Sequence, residues 1–205
     1  MKIFIIITLI LVGIFIAFQI YTTMSINKTE TQAYNVIRVE DDFEIRYYPA
    51  ATMAMITSRS TSFNELGSSG FGTLAKYIFG GNSEKKSIAM TAPVHMDIGD
   101  SVSSMAFVMP SGYTKENLPL PNNSEVMIKT VSAEYVAVVT FGGFASQESI
   151  DSHTASLRKA LQAKGLTHSG NFRFLGYNPP FQFFGRKNEV IVALDEDEVK
   201  STMQK

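Results

Sequence analysis

Three histidines, His95, His153 and His168, are the side chains here best suited to ligate a metal or move a proton near neutral pH. No two of them share a ligand-like spacing. His153 comes three residues after Ile150 and four before Leu157, at the buried edge of an expected helix. His95 follows Thr91-Ala92-Pro93-Val94 on an expected strand, and His168 lies in a polar loop. Cysteine is absent, which excludes disulfides, an acylated-cysteine anchor and thiolate metal sites. The sequence contains no phosphate-binding G-x-x-x-x-G-K-[ST] loop, no G-x-S-x-G nucleophile elbow and no H-E-x-x-H zinc pair. The glycines of Gly67-Ser68-Ser69-Gly70-Phe71-Gly72 lack dinucleotide spacing and read as a flexible helix entry. Acid–base chemistry has one candidate set: Glu44, Tyr47 and Tyr48, with Glu134 and Tyr135, could line a cleft between two halves of a domain. Met53, Met55, Met90 and Met96 suit irregular core space or an adaptable apolar pocket.

An internal repeat positions these groups. Residues 44–57 align with 127–140 at a constant offset of 83, without a gap. The same offset carries Leu74 onto Leu157, Lys76 onto Lys159 and Ile78 onto Leu161. This predicts two copies of one supersecondary unit about a pseudo-twofold axis. In the first copy, alternation predicts strands near 43–47 and 52–58, with Pro49 between them as a break. A helix over 62–78 follows, with Ser62 and Glu65 in capping-box positions. Phe63, Leu66, Phe71, Leu74 and Ile78 fall largely on one side of it, and Gly80-Gly81-Asn82 ends it. Strands at 87–92 and 105–109 close the unit. The second copy reads as strands at 126–131 and 134–141, a helix from 147 to 163, and strands at 172–177 and 189–194. The fold class is α+β: a pseudo-twofold, distorted antiparallel β-barrel with two flanking helices.

A different element precedes the domain. Residues 3–21 carry no charge and meet the roughly 20 apolar residues that span a bilayer. Ala17-Phe18-Gln19 is a poor cleavage site, so an uncleaved transmembrane helix is favoured over a cleaved signal peptide. Lys2 before the span places the N-terminus in the cytoplasm and the domain beyond the membrane, the periplasm in a bacterium. The expected organisation is an anchor at 1–21, a polar tether at 22–33, and one domain at 34–194 with halves of about 34–109 and 126–194. A charged tail at 195–205 is expected to fray. With 18 basic and 19 acidic residues, the chain offers no electrostatic reason to bind nucleic acid.

The strings DDFEIRYYP (41–49), FGTLAKYIFGGN (71–82), KKSIAMTAPVHM (85–96), FVMPSGY (107–113) and YNPPFQFFGRKNEVIV (177–192) resemble the SOUL haem-binding protein family, in order and across about residues 34–194. The resemblance implies tetrapyrrole binding and no well-established enzymatic activity for the family as a whole; separately, a monomer is expected. It carries the porphyrin contact onto Phe71, Leu74, Ala75, Lys76 and Ile78, with Arg186 or Lys187 as a second cation for the propionates. Among axial ligands, His153 and His95 are weak candidates, so contact without a strong axial ligand is the expectation. The functional reading is a membrane-tethered protein that holds, buffers or transfers haem. Two alternatives stand beside it. One is an enzyme acting on a small hydrophobic or reactive molecule through Glu44, Tyr47 and Tyr135. The other is a protein-binding module without haem, whose exposed apolar edge is Lys187 and the segment 178–184.

Overall fold

The computed structural model of the protein describes residues 1–26, 28–99 and 101–203. Asn27, in the expected tether, and Gln204 and Lys205, in the expected tail, lie outside the described residues. In chain order the elements are α1 (Lys2–Ile26), β1 (Asn35–Val39), β2 (Glu44–Tyr48), β3 (Ala51–Ser58), α2 (Phe63–Ile78), β4 (Val94–Asp97) and β5 (Ser103–Val108). They continue as β6 (Met127–Val131), β7 (Glu134–Phe141), α3 (Gln147–Lys164), β8 (His168–Gly176), β9 (Asn188–Leu194) and α4 (Glu196–Met203).

The strands form one antiparallel, curled half-barrel of 9 strands in the order β1-β2-β7-β9-β8-β4-β5-β3-β6. Setting β1 aside, that order is symmetric about the β8–β4 seam, where the pseudo-twofold axis passes. The registers obey the repeat: Ile45 pairs Ala137 and Ile128 pairs Ala54, each residue and its counterpart 83 positions apart. The halves exchange strands, since β2 pairs with β7 and β6 with β3. Neither Pro49-Ala50 nor Ser132-Ala133 has a positive φ. A two-residue hairpin of type I′ or II′ needs one, and proline cannot supply it. Each chain half therefore crosses to the other half rather than folding back on itself.

Strand alternation sorts side chains onto two faces. Ala54, Ile56, Met105, Phe107, Ala137, Phe174, Val190 and Val192 face α2 and α3 and build the main core with Leu66, Leu74, Leu157 and Leu161. The opposite face carries Tyr48, Val136, Val138, Leu175 and Ile191 in one cluster, and Met53, Ala106 and Val108 in another. Leu74 and Leu157, like Ile78 and Leu161, are repeat counterparts and all are buried.

Three expectations change. Residues 87–92 are not a strand: Ile88 N–H donates to Ile78 O and Ala92 N–H to Glu30 O, so this backbone is spent on a helix end and the N-terminal segment. The second part of the expected tether lies on the domain, with Thr31 bridging Ala92. The tail does not fray over 196–203. It is helix α4, because Val199 is buried at 1 % exposure and gives those charged residues a hydrophobic foothold. Helix α1 is long and apolar enough to cross a membrane.

Candidate functional site

Helix α2 is held at its start by a relay of serines. Ser62 Oγ accepts from Glu65 N–H (3.2 Å), while the Glu65 carboxylate accepts from Ser60 Oγ (2.9 Å), which itself accepts from Ser62 N–H (3.3 Å). Ser60 thus completes the cap expected of Ser62 and Glu65 alone. A glycine lets the helix approach the sheet, since a Cβ on Gly70 would stand 2.9 Å from Ile56 Cδ1. The buried side is Leu66, Gly70, Leu74, Tyr77 and Ile78.

Of the helix residues expected to touch a ligand, Leu74 (0 % exposed) and Ile78 (1 %) are therefore core. Phe71 (40 %) and Phe79 (66 %) remain exposed, with Ala75 half-buried between them and Lys76 exposed alongside. Spaced i, i+4, i+8, Phe71, Ala75 and Phe79 form one solvent-facing apolar strip. Phe71 meets the Phe107 ring edge-on at 5.3 Å. Nothing lies within 4 Å of where a Cβ on Gly72 would be, so the flank is open. Phe79 bridges Ser87, which brings the exposed Lys85-Lys86 turn beside the end of the strip; Lys86 Nζ stands 5.0 Å from the Tyr113 ring centroid. Phe79, Lys85 and Lys86 were not singled out from sequence, although Phe79 continues the four-residue spacing from Phe71.

The repeat supplies a control for this strip. At the same offset of 83, Phe71, Ala75 and Phe79 become Thr154, Arg158 and Gln162 on α3. Those positions need no apolar residue in this fold. Packing explains Leu74 and Leu157 equally, but not why one helix of the pair shows aromatic rings to solvent.

Arg186 and Lys187 do not join α2. Arg186 donates through Nη1 to Pro179 O and Gln182 O (2.7 Å each) and lies 4.3 Å from the Phe144 ring centroid. Lys187 pairs with Glu189 (2.9 Å) and stands 4.1 Å from the Tyr177 ring centroid, on the sheet face opposite the helices. Glu189, 0 % exposed, anchors that face. Its carboxylate accepts from Arg46 Nη1 (2.9 Å), Tyr177 Oη (2.7 Å) and Thr140 Oγ1 (3.3 Å). Burial pushes Glu189 up, but the Tyr177 hydroxyl and the Arg46 and Lys187 charges outweigh it, and the carboxyl sits below its ordinary value. Burial, then the Glu189 charge, push Tyr48 up to about 12 and raise Tyr177 further. This charge cluster ties β2, β7 and β9 to Tyr177 at the end of β8.

The acid–base set is divided by the sheet. Tyr47 and Tyr135 are register partners with ring centroids 5.1 Å apart on the helix face. Glu44 is on the other face, paired to Arg46 Nε at 2.7 Å, and Glu134 pairs with Arg173 at 2.8 Å.

Each histidine is engaged. Burial and the Arg173 charge hold His95 down at about 3, neutral, with Nε2 2.7 Å from Gln32 Oε1. His153 stacks on Phe141 (4.0 Å, 12°), its Nδ1 2.7 Å from Ser149 O. His168 is exposed and lies edge-on to Phe172 at 4.9 Å, beside a cleft of about 550 Å³ between α3 and β8 that Arg158 also lines. Among the described residues, no three His, Asp or Glu side chains gather as a metal site.

The family profile described as SOUL heme-binding protein matches residues 29–193. Heme-binding protein 1 of Xenopus laevis is 29% identical over 155 residues, 72% of this chain and 81% of that protein. Heme-binding protein 2 of Mus musculus is 29% identical over 167 residues, 78% of this chain and 82% of that protein. Among solved structures, the C-terminal domain of EcmrR aligns at TM-score 0.57 and 9% identity, covering 79% of this chain and 98% of that one. A hydrolase from Listeria innocua aligns at 0.54 and 8%, covering 78% and 94%. At such identities these two likenesses concern the fold alone.

Proposed function

From a chain that belongs to the SOUL haem-binding protein family, we propose a membrane-tethered protein that binds haem or a related tetrapyrrole on the outer strip of α2 and holds, buffers or hands it over. The observation that carries the reading is the asymmetry of the repeat: Phe71, Ala75 and Phe79 on α2 against Thr154, Arg158 and Gln162 on α3. A porphyrin offers a flat apolar face and two carboxylates. The strip supplies the apolar surface, Lys76 one cation, and the Lys85-Lys86 turn a second in place of Arg186 and Lys187. Haem fits this surface without an axial bond from the helix, because the outward residues Ser68, Phe71, Gly72, Ala75, Lys76 and Phe79 include no His, Met, Tyr or Cys. Bound there, haem brings its own redox chemistry, while the protein orients the ring and neutralises its propionates.

Helix α1 provides the tether, with the N-terminus cytoplasmic and the monomeric domain beyond the membrane, the periplasm in a bacterium. Haemin titration of a fragment of residues 30–205, followed at the Soret band, tests the site. Burial of one aromatic side chain is worth about 1.5–3 kcal/mol, so Phe71→Asp or Phe79→Asp weakens binding by roughly ten- to a hundred-fold. Thr154→Asp and Lys187→Ala leave it unchanged. Equal loss from Thr154→Asp would remove the case for α2.

A further inference from the structure

The segment Asn178–Lys187 joins β8 to β9 and presents Phe181 (51 % exposed), Phe183 (51 %) and Phe184 (66 %), with Phe144 (54 %) beside them. Exposed aromatic rings at this density on one loop need a partner other than water. Helix α1 indicates which. Phe183 packs edge-on against Phe15 (5.8 Å) and against Phe144 (5.7 Å), and Phe181 lies 6.1 Å from Phe18. Gln19 clamps the same loop: Nε2 donates to Phe181 O (3.1 Å) and Oε1 accepts from Phe183 N–H (3.0 Å). Phe15, Phe18 and Gln19 all belong to the apolar span. Phe15 precedes Tyr21 by six residues, which at about 1.5 Å per residue is roughly 9 Å along the helix. The loop is thus fixed at the level of the last turns of the span.

The backbone of the loop gives a second, independent indication. A lipid-facing segment must satisfy its own polar groups. Asn178, Pro179 and Gln182 carbonyls accept from Arg186, Phe181 O from Gln19 and Phe184 O from Gln182 Nε2. Asn178 Oδ1 accepts from Lys187 N–H, and its Nδ2 donates to Gln182 Oε1. The rings of Phe181, Phe183 and Phe184 face out, while the polar side chains of Asn178, Gln182 and Arg186 turn in to these carbonyls.

We propose that residues 178–187, with Phe144, are a second membrane contact. The aromatic rings enter the acyl–headgroup boundary of the leaflet next to the domain, and Arg186 collects the loop carbonyls at that level. Resting on the reading of α1 as a span, this makes the tether a rigid mount: the domain is held against the bilayer by two linked elements, not swung on a free linker.

The chain has no tryptophan, so single reporters in the full-length protein are free of background. Phe184→Trp, Leu11→Trp and Val102→Trp are reconstituted separately in phosphatidylcholine vesicles containing lipid brominated near the acyl carbonyl or deep in the chain. Val102 is 56 % exposed at the turn between β4 and β5, at the far end of those strands from the Val94–Gly176 pair that leads into the loop. Phe184→Trp should emit at short wavelength and lose intensity to shallow bromine, Leu11→Trp to deep bromine, and Val102→Trp to neither. Quenched Leu11→Trp with red-shifted, unquenched Phe184→Trp would overturn the loop contact and keep the span. Unquenched Leu11→Trp would end the span and the loop contact together. Quenching of Val102→Trp equal to that of Phe184→Trp would also overturn the proposal, since the loop would then hold no special position.

Discussion

Replacing Glu189 by glutamine keeps the shape of the side chain and deletes one buried charge. In the native cluster Glu189 and Glu44 offset Arg46 and Lys187. Without Glu189, Arg46, whose side chain is 3 % exposed, retains Glu44 alone, and the Tyr177 and Lys187 donors compete for one amide oxygen. Breaking a buried pair by removing one partner costs about 3–5 kcal/mol. Lys187 and Glu44 reach water, at 37 % and 36 % exposure, and can relax toward it, so the lower end, about 3 kcal/mol, applies. For a chain of this size, that lowers Tm by roughly 6–12 °C. The pH dependence supplies a second signature. The folded-state value of Glu189 lies below the ordinary 4.5, so its contribution is present above that pH and is lost as pH falls through the depressed value. The gap between parent and Glu189→Gln is therefore full at pH 7 and narrows below about 4.5. Thermal and urea unfolding of both proteins at pH 7 and in acid measure it. A Tm within about 2–4 °C of the parent at pH 7, or a gap unchanged in acid, would refute the cluster as a structural tie.

Four further outcomes follow from other parts of the chain. His95 titrates at about 3 when folded against 6.5 when unfolded, so the unfolded chain takes up more protons; the protein should lose about 2 kcal/mol between pH 6.5 and 5, and His95→Gln should abolish that slope in urea titrations. A Cβ on Gly81 would meet Lys76 O at 2.5 Å, backbone against backbone, so Gly81→Ala should destabilise by about 1–3 kcal/mol. Gly72→Ala, with open space and a helical position, should instead stabilise by about 0.5–1 kcal/mol in the same assay. Full-length protein should resist carbonate extraction and lose its domain to protease added outside spheroplasts, whereas release by carbonate would refute the anchor.

Much of the architecture was legible because the repeat is gapless where it matters. β2 and β6, and β3 and β7, begin and end at positions 83 apart, as the offset predicted. The strand exchange was not legible, since it depends on which half each strand reaches after a two-residue link without a positive φ. In α2, the four-residue spacing found an apolar side but not its direction. Phe71 falls among Leu74 and Ile78 in sequence, and only the placement of Gly70 against Ile56 shows which residues face the sheet. Lys76 stands exposed on the helix beside Phe71 and Ala75, and the exposure of Phe79, next to the Gly80-Gly81 stop, had no sign in the periodicity. Arg186 and Lys187 looked free because lone cations in a sequence carry no sign of their partners, here loop carbonyls and Glu189. Both resemblance and repeat also left α4 unseen, because a short charged helix whose foothold over 196–201 is Val199 has no periodicity to detect.

Paramagnetic broadening of amide NMR signals by substoichiometric haemin, on labelled protein of residues 30–205, reports both binding and its location. If haem lies on the outer strip of α2, the amides of 68–80 and 85–87 lose intensity first, and those of 154–162 on α3 keep theirs. Undiminished signals at saturating haemin, or broadening centred on α3 or on 186–189, would contradict the proposed site.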